Sequence, residues 1–337
     1  MKRFARSVSL RTPRRAGVVR WMLALAALVA TATHAQGTVV DDTGAAVTMP
    51  ASARRIVTLA PHAAEIVFAA GAGSAIVGVI KGTDYPASAQ ALPVIGDANA
   101  LDLERIAMLQ PDLIVTWPWT TPAQVTWLRG RGIAVFQADA RTVDGIAQDI
   151  ERIGILTGTR SEAAAAATVL RTRIAALAPR ASGEPLRVFY QVSDVPLFTL
   201  GGHHLVSQAI TTCGGHNVFG ELTIPAPQVS VEAVLAANPQ VIVAGTAGAK
   251  RPGWLDRWAG WATLDAGRKH ALYVVDANLL HRPGPRFVDG VVQLCDALAQ
   301  GRRAYGAAAT APIIGLPVER GAKASSSAAA GADRQAR

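Results

Sequence analysis

The stretch Asp102-Leu-Glu-Arg-Ile-Ala-Met-Leu-Gln-Pro-Asp-Leu-Ile-Val-Thr-Trp117 returns later in the chain as Ser230-Val-Glu-Ala-Val-Leu-Ala-Ala-Asn-Pro-Gln-Val-Ile-Val-Ala-Gly245. Glu104 matches Glu232 and Pro111 matches Pro239, both at a separation of 128 residues. Each copy predicts a cap, a short helix, a stop and a strand. Asp102 and Ser230 are N-cap types, and the glutamate two positions on sits in the first turn, where the helix dipole favours negative charge. Pro111 and Pro239 end the helices, and the short apolar runs that follow suit buried strands. A supersecondary unit repeated once at this distance predicts two similar lobes, since a solenoid needs three or more shorter repeats.

With 337 residues the chain can build two lobes, each with its own core. A net charge of +9 would suggest a nucleic-acid partner if it were spread over the folded part. Residues 1–35, however, carry Lys2, Arg3, Arg6, Arg11, Arg14, Arg15 and Arg20 and no acid, so setting those seven aside leaves only +2. No basic surface for nucleic acid is expected. The same segment has the form of an export signal: basic up to Arg20, apolar from Trp21 to Ala30, then the small-x-small pattern Thr33-His-Ala35. Its apolar run is shorter than the roughly 20 residues of a spanning helix, an uncleaved anchor being the alternative. No cysteine follows the run to carry a lipid, and Ala16-Gly17 fits a twin-arginine signal poorly. Export to an oxidising compartment follows. There Cys213 and Cys295, the only two cysteines, are favoured to join, with two buried free thiols as the alternative.

The expected organisation is an export segment 1–35, an N-terminal lobe 36–141, a linking helical segment 142–182, a C-terminal lobe 183–306 and a disordered tail 307–337. Strands are predicted at Arg55–Leu59, Ile76–Ile80, after Pro111 and at Ile133–Phe136, alternating with helices, which argues for a parallel sheet covered on both faces. From Thr142 the texture changes to long helix, with Gly154 and Gly158 as candidate breaks. Arg187–Tyr190 opens the second lobe as residues 55–59 open the first. A last helix from Phe287 to Ala299 carries Cys295.

Catalytic and nucleotide signatures are absent: there is no G-x-S-x-G, no H-E-x-x-H and no Walker loop. Gly71 to Gly78 follows a helix and has the wrong spacing for a dinucleotide fingerprint, so it reads as a helix stop and turn. Tyr85, Trp117, Trp119 and Phe198 fall where strands end or loops begin, the place where open parallel sheets bind ligands. Singly, each could be core packing; together they suit a large flat ligand. His62, His281 and Arg282 lie in similar loops. A lone histidine is more often structural than a ligand, and the histidines show no metal-ligand spacing. His203-His204 reads as a surface turn.

At these residues the chain, from about Arg54 to Ala304, resembles the periplasmic cobalamin-binding proteins of ABC importers, a class III substrate-binding family. The shared pieces are Thr83-Asp-Tyr-Pro86, Leu-Glu-Arg-Ile followed by Pro-Asp-Leu, and Trp117 ending that strand. Then come Phe198-Thr, Cys213-Gly-Gly-x-Asn-x-Phe219, Pro227-Gln-Val-Ser230, the Arg282-to-Arg286 loop and Gln293-Leu-Cys295. The resemblance implies an α/β fold of two Rossmann-like lobes joined by a single long rigid helix, with a corrinoid in the cleft. It also implies a disulfide within lobe two and no catalysis. Ala98 and Ala226 stand where some relatives carry tryptophans, and His281 stands where an acid is expected before the loop arginine.

On that resemblance the expected function is capture of cobalamin (vitamin B12) in the periplasm and its delivery to an inner-membrane ABC permease by a monomeric carrier. Cobalamin would be the transported ligand, so no cofactor is expected. Tyr85, Trp117 and Phe198 would pack on the corrin, and His281 and Arg282 would hydrogen-bond its periphery, a charge-assisted bond being the stronger. Glu104 and Glu232, at the same point of the two repeats, would meet arginines of the permease subunits, one per lobe; dipole complementation alone is the plainer reading. The rivals are a haem or ferric-siderophore carrier on the same fold, with Tyr85, His62 or His281 as an axial ligand, an exported hydrolase with a histidine base, and an interaction module.

Overall fold

The structure is a computed structural model that describes residues 37–177 and 183–306; the expected export segment 1–35 and tail 307–337 lie outside the described residues. The described chain divides into two compact units. Unit one takes the residues up to Asp139 together with Gln148–Ala166, and unit two takes Ala140–Ala147 and everything from Ala167 onward.

Unit one begins with an antiparallel hairpin, β1 (Gly37–Val40) and β2 (Ala46–Met49), whose alternate residues Val39, Val47 and Met49 are buried. There follow β3 (Ile56–Thr58), α1 (Pro61–Ala69), β4 (Ile76–Val79), α2 (Leu103–Met108), β5 (Leu113–Thr116), α3 (Pro122–Arg129) and β6 (Ala134–Gln137). Strands β4-β3-β5-β6 lie side by side in that order, all parallel. Val57, Ile114 and Val135 from the sheet pack with Ile106 of α2 and Val125 and Leu128 of α3. The Gly71 stop holds, with φ at +82° and a single 3-10 turn before β4.

The helical segment comprises α4 (Val143–Thr157) and α5 (Arg160–Ala175). Gly158 between them has φ +78°, a left-handed conformation that glycine adopts without a Cβ penalty. The long helix expected from the sequence is therefore two helices, broken at one of its two marked glycines. Each contributes residues to both units.

Unit two runs β7 (Leu186–Gln191), α6 (Leu205–Thr212), β8 (Gly215–Asn217), α7 (Val231–Ala237), β9 (Val241–Thr246), α8 (Asp265–Arg268), β10 (Leu272–Asp276), α9 (Ala277–Leu280) and α10 (Phe287–Ala304). Its sheet, ordered β10-β9-β7-β8, is again all parallel. In both units the first strand lies between the second and the third, and the fourth flanks the third. Phe189, Val234, Ile242, Leu255 and Trp258 anchor its core. Cys213 at the end of α6 and Cys295 inside α10 form a disulfide with Cα atoms 4.7 Å apart, which settles the pairing left open above.

The repeated stretch folds as its residues dictate. Asp102 accepts the Arg105 N–H at 2.8 Å, and Ser230 Oγ accepts the Ala233 N–H at 3.2 Å, so both helices start on a side-chain cap. Each stop is a left-handed residue just before the proline: Gln110 at φ +46° and Asn238 at φ +40°. The strands that follow, β5 and β9, are buried, as their apolar runs require.

Candidate functional site

In unit one the sequence-predicted aromatics gather beyond the carboxyl ends of the parallel strands. Trp117 directly follows β5, and its ring meets His62 edge-on at 5.4 Å and Trp119 at 5.9 Å. His62, at the start of α1, is buried, which makes it a packing partner of Trp117 at this position. Trp119 is 74% exposed, a large indole presented to solvent. Tyr85 lies in the loop after β4, 46% exposed and joined to Pro86 by a cis peptide bond. These rings are broad and largely apolar, suited to a flat ligand.

Unit two presents a more polar set at the corresponding ends. Phe198 is half-buried in the loop after β7 and pairs with Gln228 through an isolated antiparallel bridge. His281 closes α9, and its Nε2 is 3.0 Å from the hydroxyl of Tyr190, the buried fifth residue of β7. Burial, then neighbouring His204, drive the His281 pKa down to about 4, so the ring is neutral at pH 7. Burial, then Asp276, push the Tyr190 phenol up. Gly245 must lack a side chain here: a Cβ would fall 2.2 Å from the Tyr190 hydroxyl oxygen and 3.0 Å from His281 Nε2. Arg282 donates from Nη2 to Asn278 Oδ1 at 3.2 Å, one helical turn upstream.

Two of these residues escape sequence reasoning. Tyr190 reads as one more apolar residue of a buried strand, and only the fold brings it to His281. Asn278 leaves a faint signal, its spacing of four from Arg282. The pair His203-His204 needs correction. His203 is exposed in a turn as expected, but His204 is the N-cap of α6, with Nδ1 accepting the Val206 N–H at 3.1 Å. Histidine is an uncommon cap, and burial keeps it unprotonated with a pKa near 4, which leaves Nδ1 free to accept.

Glu104 and Glu232 are both exposed in the first turn of their helices. The backbone N–H of Glu232 itself, then the Ser230 side chain, hold its carboxyl below the usual range. Met108, one turn after Glu104, is 75% exposed, and Val231 beside Glu232 is exposed too, so each acid sits next to an apolar side chain. Among the described residues, no group of three or more histidine, cysteine or acidic side chains could hold a metal ion. No helix among them is long and apolar enough to cross a membrane.

Comparison with known proteins places this arrangement. The vitamin B12-binding protein of Vibrio cholerae is 37% identical over 252 residues, spanning 74% of this chain and 90% of that protein. The protein of the same name from Yersinia pestis is 32% identical over 255 residues, 75% of this chain and 89% of its own length. The crystal structure of periplasmic vitamin B12 binding protein BtuF of Vibrio cholerae matches with a TM-score of 0.69 at 37% identity, over 74% of this chain and 98% of that one. The periplasmic haem-binding protein RhuT of Roseiflexus sp. RS-1 matches with a TM-score of 0.65 at 27% identity, over 74% and 99%. Residues 56–279 fit the model of the periplasmic binding protein family, and this chain is a member of that family.

Proposed function

We propose that this protein is exported to the periplasm, captures cobalamin and delivers it to a membrane-embedded ABC permease. The observation that carries the reading is the 37% identity to the vitamin B12-binding protein of Vibrio cholerae, over 90% of that protein's length. The site residues support it. Tyr85 and Trp117 of unit one and Phe198 of unit two offer apolar faces and edges to a corrin, while Arg282 and His281 offer polar contacts for its amide and phosphate periphery. The protein acts by binding and release, without catalysis, as a monomer that meets the permease through Glu104 and Glu232. Cleavage after Ala35 frees it from the export segment.

A second reading, haem carriage, is favoured by the likeness to RhuT. Against it, His62 is buried on Trp117 and the Nε2 of His281 is engaged by Tyr190, so of the three expected axial ligands only Tyr85 stands exposed. The two readings separate by eye. Purified protein incubated with cobalamin or with haemin, then desalted, should retain the corrinoid spectrum and shed the haemin. Retention of haemin alone would replace cobalamin by haem as the cargo.

A further inference from the structure

Parallel strands give each unit two unlike ends, and in unit two the end opposite the candidate site carries concentrated positive charge. Arg187 lies at the amino end of β7, Arg268 and Lys269 lead into β10, and Arg303 lies in the last turn of α10. One carboxylate, Asp265, serves two of these cations: Arg187 Nη2 reaches its Oδ2 at 3.0 Å and Arg268 binds its other oxygen. Lys269 stands 5.8 Å from the Tyr305 ring centroid, and Arg303 lies within electrostatic reach of Tyr273. Among the described residues neither Lys269 nor Arg303 has a carboxylate partner. The chain outside residues 1–35 has a net charge of only +2, so this is a local excess and not a general basicity.

Aromatic rings are set among the charges. Tyr273 and Tyr305 are half-buried, with the Tyr305 hydroxyl donating to the Gln240 carbonyl at 3.0 Å. Trp261 is 42% exposed, and its backbone lies against α8: its carbonyl oxygen is 3.3 Å from the position a Cβ on Gly267 would take. Cations alone would suit any anion. Cations beside amphipathic tyrosines, with an exposed tryptophan whose backbone lies against the same short helix, suit an interface, where rings lie at headgroup level and the charges meet anionic phosphates.

We propose that this end of unit two, through Arg268, Lys269, Arg303 and Trp261, rests on an anionic lipid surface. Contact there would hold the carrier at a membrane by a face other than the one that holds its ligand, and it does not depend on which ligand that is. The attraction is electrostatic and therefore falls with salt.

The experiment is cosedimentation of the purified mature protein with vesicles of phosphatidylcholine alone and of equimolar phosphatidylcholine and phosphatidylglycerol. The protein should pellet with the anionic vesicles only, and high salt should release it. Lys269→Glu with Arg303→Glu should weaken that binding at least about tenfold. Trp261→Ser should weaken it and remove the blue shift of tryptophan emission, with circular dichroism unchanged in both variants. Absence of pelleting, or pelleting equal in the double variant, would overturn the proposal. Binding that ignores Trp261→Ser and is competed equally by soluble polyglutamate would also overturn it and point to an acidic protein partner.

Discussion

In unit one the backbone N–H of Arg55 donates to Asp112 Oδ1 at 3.1 Å, the Asp112 N–H returns to the Arg55 carbonyl at 2.9 Å, and the guanidinium donates to the Leu109 carbonyl at the end of α2. In unit two the counterpart runs from Arg187 to Gln240 Oε1 at 3.0 Å, Gln240 back to Arg187 at 2.8 Å, and Arg187 Nε to the carbonyl of Asn238 at the end of α7, one residue beyond the counterpart of Leu109. The two locks share a geometry, with a carboxylate in one and an amide in the other. The units differ more in what fastens them. Unit one holds its hairpin with Arg152, 2.7 Å from Asp42 Oδ1 and 3.2 Å from Oδ1 of the fully buried Asp149. Unit two has the disulfide. Repeated positions set the path of the chain, and unrepeated ones set how firmly each copy is held.

The most sweeping way to probe the pair is to reverse its exposed charges. If the proposed docking on permease arginines holds, Glu104→Arg with Glu232→Arg should abolish uptake in vesicles reconstituted with the permease while cobalamin binding and thermal stability stay as in the wild type, because like charges would then face each other across the dock. Normal uptake would reduce both residues to glutamates that complement a helix dipole. Each single reversal should leave intermediate uptake if the two units dock equivalently.

The fastenings come next in size. Cys213→Ser with Cys295→Ser should cost about 2–5 kcal/mol in urea unfolding, because the disulfide closes a sequence separation of 82 and constrains the unfolded chain. An unchanged unfolding curve would mean the staple is redundant with the core between α6 and α10. Unit one should respond in the opposite direction. Burial, then repulsion by Asp42, raise the Asp149 pKa to about 9, so the folded chain keeps a proton that the unfolded chain sheds near its ordinary 3.8. Stability should therefore fall as pH rises from about 4 to about 9. Asp149→Asn should add at least about 1 kcal/mol at pH 8 and flatten that slope. A loss of stability at pH 8 would show that the ionised carboxylate is what Arg152 needs.

The smallest effect separates the two locks. Asp112 also accepts the Arg54 N–H at 2.7 Å, two charge-assisted bonds against one neutral bond at Gln240. Asp112→Ala should cost about 1–2 kcal/mol and Gln240→Ala about 0.5–1 kcal/mol, read from paired urea titrations. Equal costs would mean that the return bond from the backbone dominates both.

What could be read from the chain follows the same division. The two caps and the break at Gly158 are local signals, each a matter of a few neighbouring residues, while the repeat and the cysteine pair are legible at long range because one recurs as a pattern and the other is the sole pair of its type. The β1–β2 hairpin also leaves a local trace, Val39, Val47 and Met49 alternating about an Asp-Thr-Gly turn, but four-residue strands give alternation too little length to stand out. Helix α3 is announced by Thr121 and Gln124, which form a capping box around Pro122. No periodicity could announce the arginine locks or the Tyr190–His281 contact, since each joins residues more than fifty positions apart. His204 is the sharpest mismatch: two adjacent histidines look like surface, yet one of them caps a helix through Nδ1, kept unprotonated by its partial burial.

Capture of the ligand is tested most directly by isothermal titration of cobalamin into the purified mature protein, with haemin titrated in parallel. Cobalamin should bind saturably at one site per chain with a dissociation constant below about 1 μM, that is about −8 kcal/mol or better. No heat from cobalamin beside saturable binding of haemin would contradict cobalamin carriage.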